Sequence, residues 1–384
     1  MDILTYVRRL QRFGKSRGTK GRSRHLDSAH AKTSSLFRLE QLEARTLLSA
    51  DLGAAVQVPI APQPAQPANQ PGAIIQTQNN VAAITTQPIS VAAHYVSTSG
   101  SDANAGTADQ PFRTIAQGLS VLHTGETLYI RGGVYNETIS SSQLPSGTSW
   151  ANAPVIAGYP GESVVLTANA SDADIITLTG STQYVVFQNL ILDGQGTAHN
   201  GVNNPDDTTD HIRFDTVEIR NFWNQGAFVM SSLGGYEFLN CNVHNVVADW
   251  QQSANQSHGL YLGNSVLVDG GQYHDNSGYG IQIYSGNYPA QPTNNNIVRN
   301  ASLYNNGAGG ITVGGDSNVV SNNLVYSNGS DGIDVAWGNP TNTQVDNNTV
   351  WNNNGSGGIY VSDRSIKLFN NNVYQNIGGD ITYG

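Results

Sequence analysis

From about residue 94 onward, apolar residues recur two apart in short runs, and Gly, Asn, Asp or Ser bounds each run. Alternation of that kind marks short, half-buried strands. The runs themselves repeat. An Asn-rich turn, a Val-Tyr pair or a relative, and then Gly-Ile-x-Val return every 20 to 30 residues. The clearest copies are 300–304 with 310–313, 322–326 with 332–335, and 347–351 with 358–361; residues 370–374 begin one more. A period of that size predicts a solenoid. Coils of this length hold about three strands, each paired in parallel with the coils on either side at ~4.8 Å. The expected fold is therefore an all-β parallel β-helix.

The repeat can be indexed by face. In Gly-apolar-x-apolar the two apolar residues point inward and x points outward. The outward column is Phe228, Tyr261, Gln282, Thr312, Asp334 and Tyr360, and Tyr284 shares its parity. Aromatic faces stack on sugar C–H groups while amide, hydroxyl and carboxylate bond sugar hydroxyls, so the column reads as a carbohydrate-binding groove. Ordinary neighbour pairing across a sheet is the alternative. A second column holds Arg220, His244, His274, Tyr304, Tyr326, Trp351 and Tyr374. His244 and His274 have no evident third ligand, so this column reads as stacked surface rings. The asparagines suit the bends, where Asn tolerates left-handed backbone and stacked Asn side chains bond one another.

Ahead of the repeats, Pro111 is expected in the first turn of a helix whose apolar side carries Phe112, Ile115, Leu119 and Leu122. Strands follow over 127–131 and 133–139. A helix at that place would cap the first coil, which otherwise exposes unpaired backbone. The last coil stops at Gly384 with no cap in sight, so either the sequence is a fragment or something else covers that end.

Composition narrows the setting. Only 12% of the 384 residues are charged. Residues 1–50 carry 11 Lys/Arg against 4 Asp/Glu, a balance of +7, whereas residues 51–384 carry 7 against 24, a balance of −17. An acidic repeat region is a poor partner for nucleic acid, which needs a basic footprint. It suits neutral sugars, or anionic sugars bridged by a cation. The single cysteine, Cys241, allows no intrachain disulfide and reads as a small buried residue. No apolar run approaches ~18 residues, so no membrane span is expected. Three parts result: a basic targeting segment over 1–50, an Ala/Pro/Gln-rich linker over 51–92 that cannot bury a core, and the β-helix over 93–384. A monomer is expected.

Two resemblances extend this reading. The stretch Leu42-Glu43-Ala44-Arg45-Thr46-Leu47-Leu48-Ser49 resembles the Leu-Glu-x-Arg-x-Leu-Leu-Ser motif of large secreted bacterial proteins, which implies an extracellular or cell-surface location. The block from Tyr95 to Thr107, Gln110-Pro-Phe-x-Thr-Ile115, Gly125-Glu-Thr-Leu-Tyr-Ile-Arg-Gly-Gly-Val-Tyr-x-Glu137 and Gly158-Tyr-x-Gly-Glu162, followed by the repeats, resembles right-handed parallel β-helix proteins of the pectate-lyase-like superfamily. That likeness implies a right-handed coil and a polysaccharide lyase acting on a uronate-containing glycan by β-elimination. The rival is a non-catalytic extracellular protein that binds glycan or serves as an adhesive or structural element.

For the chemistry, Ser257-His258-Gly259-Leu260-Tyr261 resembles the His-Gly-Ile-Tyr segment of secreted β-helix proteins. His258 and Tyr261 are the candidate base and acid; a His258 bonded to a neighbouring turn is the structural alternative. Several pectate lyases of the superfamily use acidic calcium ligands and a Lys or Arg base. Lys367 is the only lysine after residue 50, and Arg364, just past the groove strand at Tyr360, is the better cationic candidate. Asp206, Asp207 and Asp210 fall in one loop that could supply oxygen ligands to Ca2+; a solvated acidic loop is the alternative. The paired aspartates of polygalacturonases are missing, which disfavours hydrolysis of that type.

Overall fold

The computed structural model describes residues 92–205, 209–247, 256–284, 293–337, 340–362 and 365–384. Residues 1–91, which contain the basic segment and all but the last residue of the expected linker, lie outside the described residues, as do Asp206, Asp207 and Arg364.

The chain winds as a parallel β-helix. Among the described residues its strands form three sheets of 11, 10 and 10 strands, and each sheet takes every third strand in chain order once the first two strands, Ala93–Val96 and Thr127–Ile130, have paired in the largest sheet. A representative coil runs Leu267–Asp269, Gln272–His274 and Ile281–Ile283, one strand per sheet. The next coil repeats it in register, with Val268 opposite Val298, Tyr273 opposite Leu303 and Ile281 opposite Ile311. Inward residues stack into one continuous core from Val96 to Ile366, so most Ile, Leu and Val of the repeat have no exposed surface.

The corners explain the polar bias of the sequence. Each bend needs a residue with positive φ. The bend between the first two strands of successive coils uses Asn240, Gly270, Asn300, Asn322, Asn347 and Asn370. Asn accepts that conformation more readily than other non-glycine residues. A different set of asparagines lines the inside of the bends, buried except in the last coil. Asn276, Asn306, Asn328, Asn353 and Asn376 form a ladder in which each amide nitrogen donates to the next residue's side-chain oxygen at 2.9–3.0 Å. Asn323, Asn348 and Asn371 form a second.

At the N-terminal end a helix over Ile115–Val121 packs Ile115, Gly118 and Leu119 inward, and a Cβ at Gly118 would strike Leu128 and Val96. The sequence put Pro111 in the first turn. The helix instead starts after Thr114, whose hydroxyl accepts from the Gln117 amide at 3.1 Å. Pro111 lies in the preceding segment, where Phe112 bridges to Val96.

Cys241 is fully buried, and desolvation pushes its thiol up to about 12. It is a packing residue with no thiolate at neutral pH.

Candidate active-site cleft

One ten-stranded sheet carries the first outward column. Register pairs Asn203 with Phe228, Phe228 with Tyr261, Tyr261 with Gln282, Gln282 with Thr312, Thr312 with Asp334, and Asp334 with Tyr360. The six residues indexed from the repeat therefore share one line, and Asn203 extends it by a coil. A cleft of about 620 Å3 lies over the line from Asn203 to Thr312. Four coil steps of about 4.8 Å span that distance, and one step is close to the length of a pyranose residue.

The corner residues make the walls. His199, Asn224, His258 and Tyr279 precede their strands on one side, while on the other Tyr284 follows its strand and Trp337 ends its own. These walls cover part of the column. Gln282, Thr312 and Asp334 are 8%, 2% and 6% exposed, so outward positions that the alternation left open to solvent are roofed by neighbouring side chains. Asp334 and Tyr360 continue the column beyond the cleft lining.

His258 is buried, and its Nδ1 accepts the Tyr279 backbone N–H at 2.9 Å. The proton of the neutral ring therefore sits on Nε2. Desolvation lowers its pKa to about 3. An imidazole held neutral that firmly is a weak base, but its remaining N–H is a sound hydrogen-bond donor. The ring lies 5.8 Å from Tyr261 and 5.7 Å from Tyr279, centroid to centroid. Burial, then the carboxylates of Asp334 and Asp331, raises the Tyr279 hydroxyl well above its ordinary value.

Asp334 is the most perturbed carboxyl beside the cleft. Burial lifts it to about 6, against a lowering bond from Trp337, whose Nε1 donates to Oδ2 at 2.8 Å. A bulge places Trp337 there. Thr312 pairs with Asp334, but Gly314 pairs with Trp337, so the later strand carries an extra residue. Bulges re-aim side chains in this way. Trp337 is 47% exposed and meets Tyr284 at 5.7 Å between ring centroids.

The alternating pattern gave no signal for the wall at the opposite end. His199 is half-buried there, with Nδ1 3.2 Å from Asp174 Oδ1 and its ring 4.6 Å from that of Trp223. Asp174 also accepts from the Asn200 amide and side chain at 3.1 and 2.8 Å, and from the Asn203 side chain at 2.6 Å. His199 and Asp174 lie before their strands, at corners where period-two indexing stops. The available signal was register: Val202 pairs with Ile176, which sets Asn200 opposite Asp174.

The remaining candidates sit elsewhere or cannot be placed. Arg364, Asp206 and Asp207 are outside the described residues. Asp210 turns its carboxylate to His211 Nδ1 at 3.0 Å. Among the described residues no three His, Cys, Asp or Glu converge as a metal would need. Asp210 is the one member of that loop among the described residues, and no step below runs through a metal. In the second column, His244 and His274 lie flat on one another at 4.9 Å and 2°, and the stack continues through Tyr304, Tyr326, Trp351 and Tyr374. Each ring covers its neighbour's face, so this column offers edges to a ligand.

A family described as Pel9A-like, right handed beta helix region, matches residues 94–360. The chain belongs to the Pel9A-like right-handed β-helix family. Within this Pel9A-like chain, 73 residues are 44% identical to pectate lyase PEL9 of Emericella nidulans, covering 19% of the chain and 17% of that protein. Another 77-residue match is 39% identical to the uncharacterized protein YwoF of Bacillus subtilis strain 168, covering 20% and 16%. The matches thus span less than a fifth of either relative. Among solved structures, pectate lyase Pel9A superposes at TM-score 0.45 with 13% identity over 76% of each chain. An alginate lyase from Paenibacillus sp. strain FPU-7 gives 0.46 with 17% identity over 70% of this chain and 95% of that one. Among the described residues no helix is long and apolar enough to cross a membrane.

Proposed function

We propose that this Pel9A-like chain is an extracellular carbohydrate-active enzyme, a polysaccharide lyase that cleaves a uronate-containing glycan by β-elimination in the cleft. One observation carries the reading: a five-coil groove joins stacking faces, amides and two imidazoles along a line whose step matches a sugar unit. Phe228, Tyr261, Tyr284 and Trp337 offer apolar faces, and Asn203 offers a hydroxyl partner, with Gln282 and Thr312 lying beneath the walls. Elimination needs a base for the proton beside the carboxylate and a donor for the departing 4-oxygen. The Tyr261 hydroxyl and the neutral His258 Nε2–H are the donors at the centre of the cleft. Family membership supports the reaction class, because the relative PEL9 is named a pectate lyase.

A second reading has its own support. The described residues lining the cleft include no lysine or arginine to meet a sugar carboxylate. A non-catalytic glycan-binding or structural protein would need none. In the lyase reading that charge is met by the amide donors, by Arg364, or by Ca2+ at the Asp206, Asp207 and Asp210 loop.

The deciding experiment incubates the protein with pectate, alginate and glycosaminoglycans, with Ca2+ and with a chelator, and follows the ultraviolet absorbance of the unsaturated product. The lyase reading predicts signal on at least one polymer. Retention of glycan on an affinity gel, with no absorbance under any condition, establishes the second reading instead.

A further inference from the structure

The cleft has donors at its centre, but buried His258 is a weak base. We infer that His199, oriented by Asp174, is the group that takes the substrate proton, an assignment that rests on the lyase reading above. Three contacts fix the ring. Nδ1 faces Asp174 Oδ1 at 3.2 Å, Nε2 faces the Asn224 side-chain amide nitrogen at 3.0 Å, and Trp223 lies against the ring at 4.6 Å.

The hydrogen bonds set the tautomer. Asn224 Nδ2 can only donate, and it also donates to Asn200 Oδ1 at 3.0 Å. The nitrogen facing it, Nε2, therefore holds the lone pair, and the ring proton sits on Nδ1 toward Asp174. Asn200 Nδ2 lies 2.9 Å from Nδ1, but it has its own acceptor in the same Asp174 oxygen at 2.8 Å. A carboxylate behind one nitrogen and a lone pair on the other is the arrangement of an oriented general base. The Asn224 N–H marks the direction from which a proton reaches Nε2.

Asp174 is the hub of this end. Its side chain is 13% exposed against 34% for His199, so the carboxylate is the buried partner and the imidazole the one open to the cleft. The same network reaches His258. Asn224 Oδ1 accepts from Gln225 Nε2 at 3.4 Å, and Gln225 Oε1 accepts the His258 backbone N–H at 2.9 Å. Base and donor are thus tied through two amide side chains.

The step balances without a further reactant. The C5–H bond breaks and its proton passes to His199 Nε2, displacing the Asn224 contact. The electron pair forms the C4–C5 double bond as the C4–O4 bond breaks. The departing oxygen takes a proton from the Tyr261 hydroxyl or from water, the neutral His258 Nε2–H serving only as a hydrogen-bond donor, and exchange with water returns His199 and the donor to their starting states.

The test compares wild type, His199→Gly and Asp174→Asn on the polyuronate that the wild type cleaves, with circular dichroism and melting temperature as folding controls. The expected loss in kcat is about 10²–10⁴-fold for His199→Gly, with oligouronate affinity retained. Added imidazole should restore turnover of folded His199→Gly, which a merely structural histidine would not allow. Asp174 is a positioning residue, so Asp174→Asn should lower kcat more than it changes KM and alter the acid limb of the kcat/KM profile. If folded His199→Gly turns over like wild type, or imidazole fails to rescue it, the assignment is overturned while the lyase reading stands. If wild type releases no unsaturated product from any polyuronate, the lyase reading falls and takes the assignment with it.

Discussion

At the scale of single residues, His258 in the cleft and Asp334 beside it ionise against folding in opposite pH ranges. His258 has a folded pKa of about 3, below its unfolded value of about 6.5. The unfolded chain therefore binds the extra proton, so stability is full above about 6.5 and is lost as pH falls toward 3. Asp334 runs the other way. Its folded pKa is about 6, above the unfolded 3.8. Its contribution is full below 3.8 and is lost as pH rises through 6. Two melting series test this. His258→Gln should flatten the decline in melting temperature between pH 6.5 and 3. Asp334→Asn should stabilise the protein at pH 7, by roughly 2–3 kcal/mol at most, and do little at pH 4. A neutral-pH loss of stability in Asp334→Asn would contradict the burial argument. His258 also shows the limit of a motif. The segment around Tyr261 drew attention to this imidazole, but only coordinates reveal that the Tyr279 amide and the surrounding burial turn it from base to donor.

At the scale of the element, the bends carry more of the fold's specification than the strands do. The Gly-Ile-x-Val copies made the strands and their inward faces readable, because period two is a backbone property. The column from Phe228 to Tyr360 followed for the same reason. The walls did not. His199, Asn224, Tyr279 and Trp337 sit at corners or on a bulge, where side-chain direction depends on local φ and on register with the neighbouring coil. The roofing of Thr312 and Asp334 was hidden likewise, since it depends on where those wall residues point. The Asn ladders have a sharp energetic signature. Asn306 is buried, receives the Asn276 N–H and donates to Asn328. Asn306→Ala leaves polar groups unsatisfied on both sides and should cost about 2–4 kcal/mol. Asn376→Ala, at the partly exposed end of the same ladder, should cost less than half as much. Chemical denaturation of the two variants measures the difference, and equal losses would mean the ladder is not cooperative.

At the scale of the whole molecule, two columns of outward rings run along a solenoid, and the coil packing gives them different fates. On one sheet the rings from His244 to Tyr374 lie on one another within 11° of parallel and spend their faces on their neighbours. On the other, Phe228 and Tyr261 are tilted by 57°, and Gln282, Thr312 and Asp334 interrupt the aromatics. That interruption leaves room for a cleft, and it is why chemistry is assigned to the less regular face. The most direct test compares release of unsaturated product by wild type, by the cleft variant Tyr261→Ala/Gln282→Ala, and by the ladder variant Tyr304→Ala/Tyr326→Ala. The predicted result is turnover by wild type and by the ladder variant, with at least a ~100-fold fall in the cleft variant. Wild-type turnover in the cleft variant, or its loss in a folded ladder variant, would contradict the account.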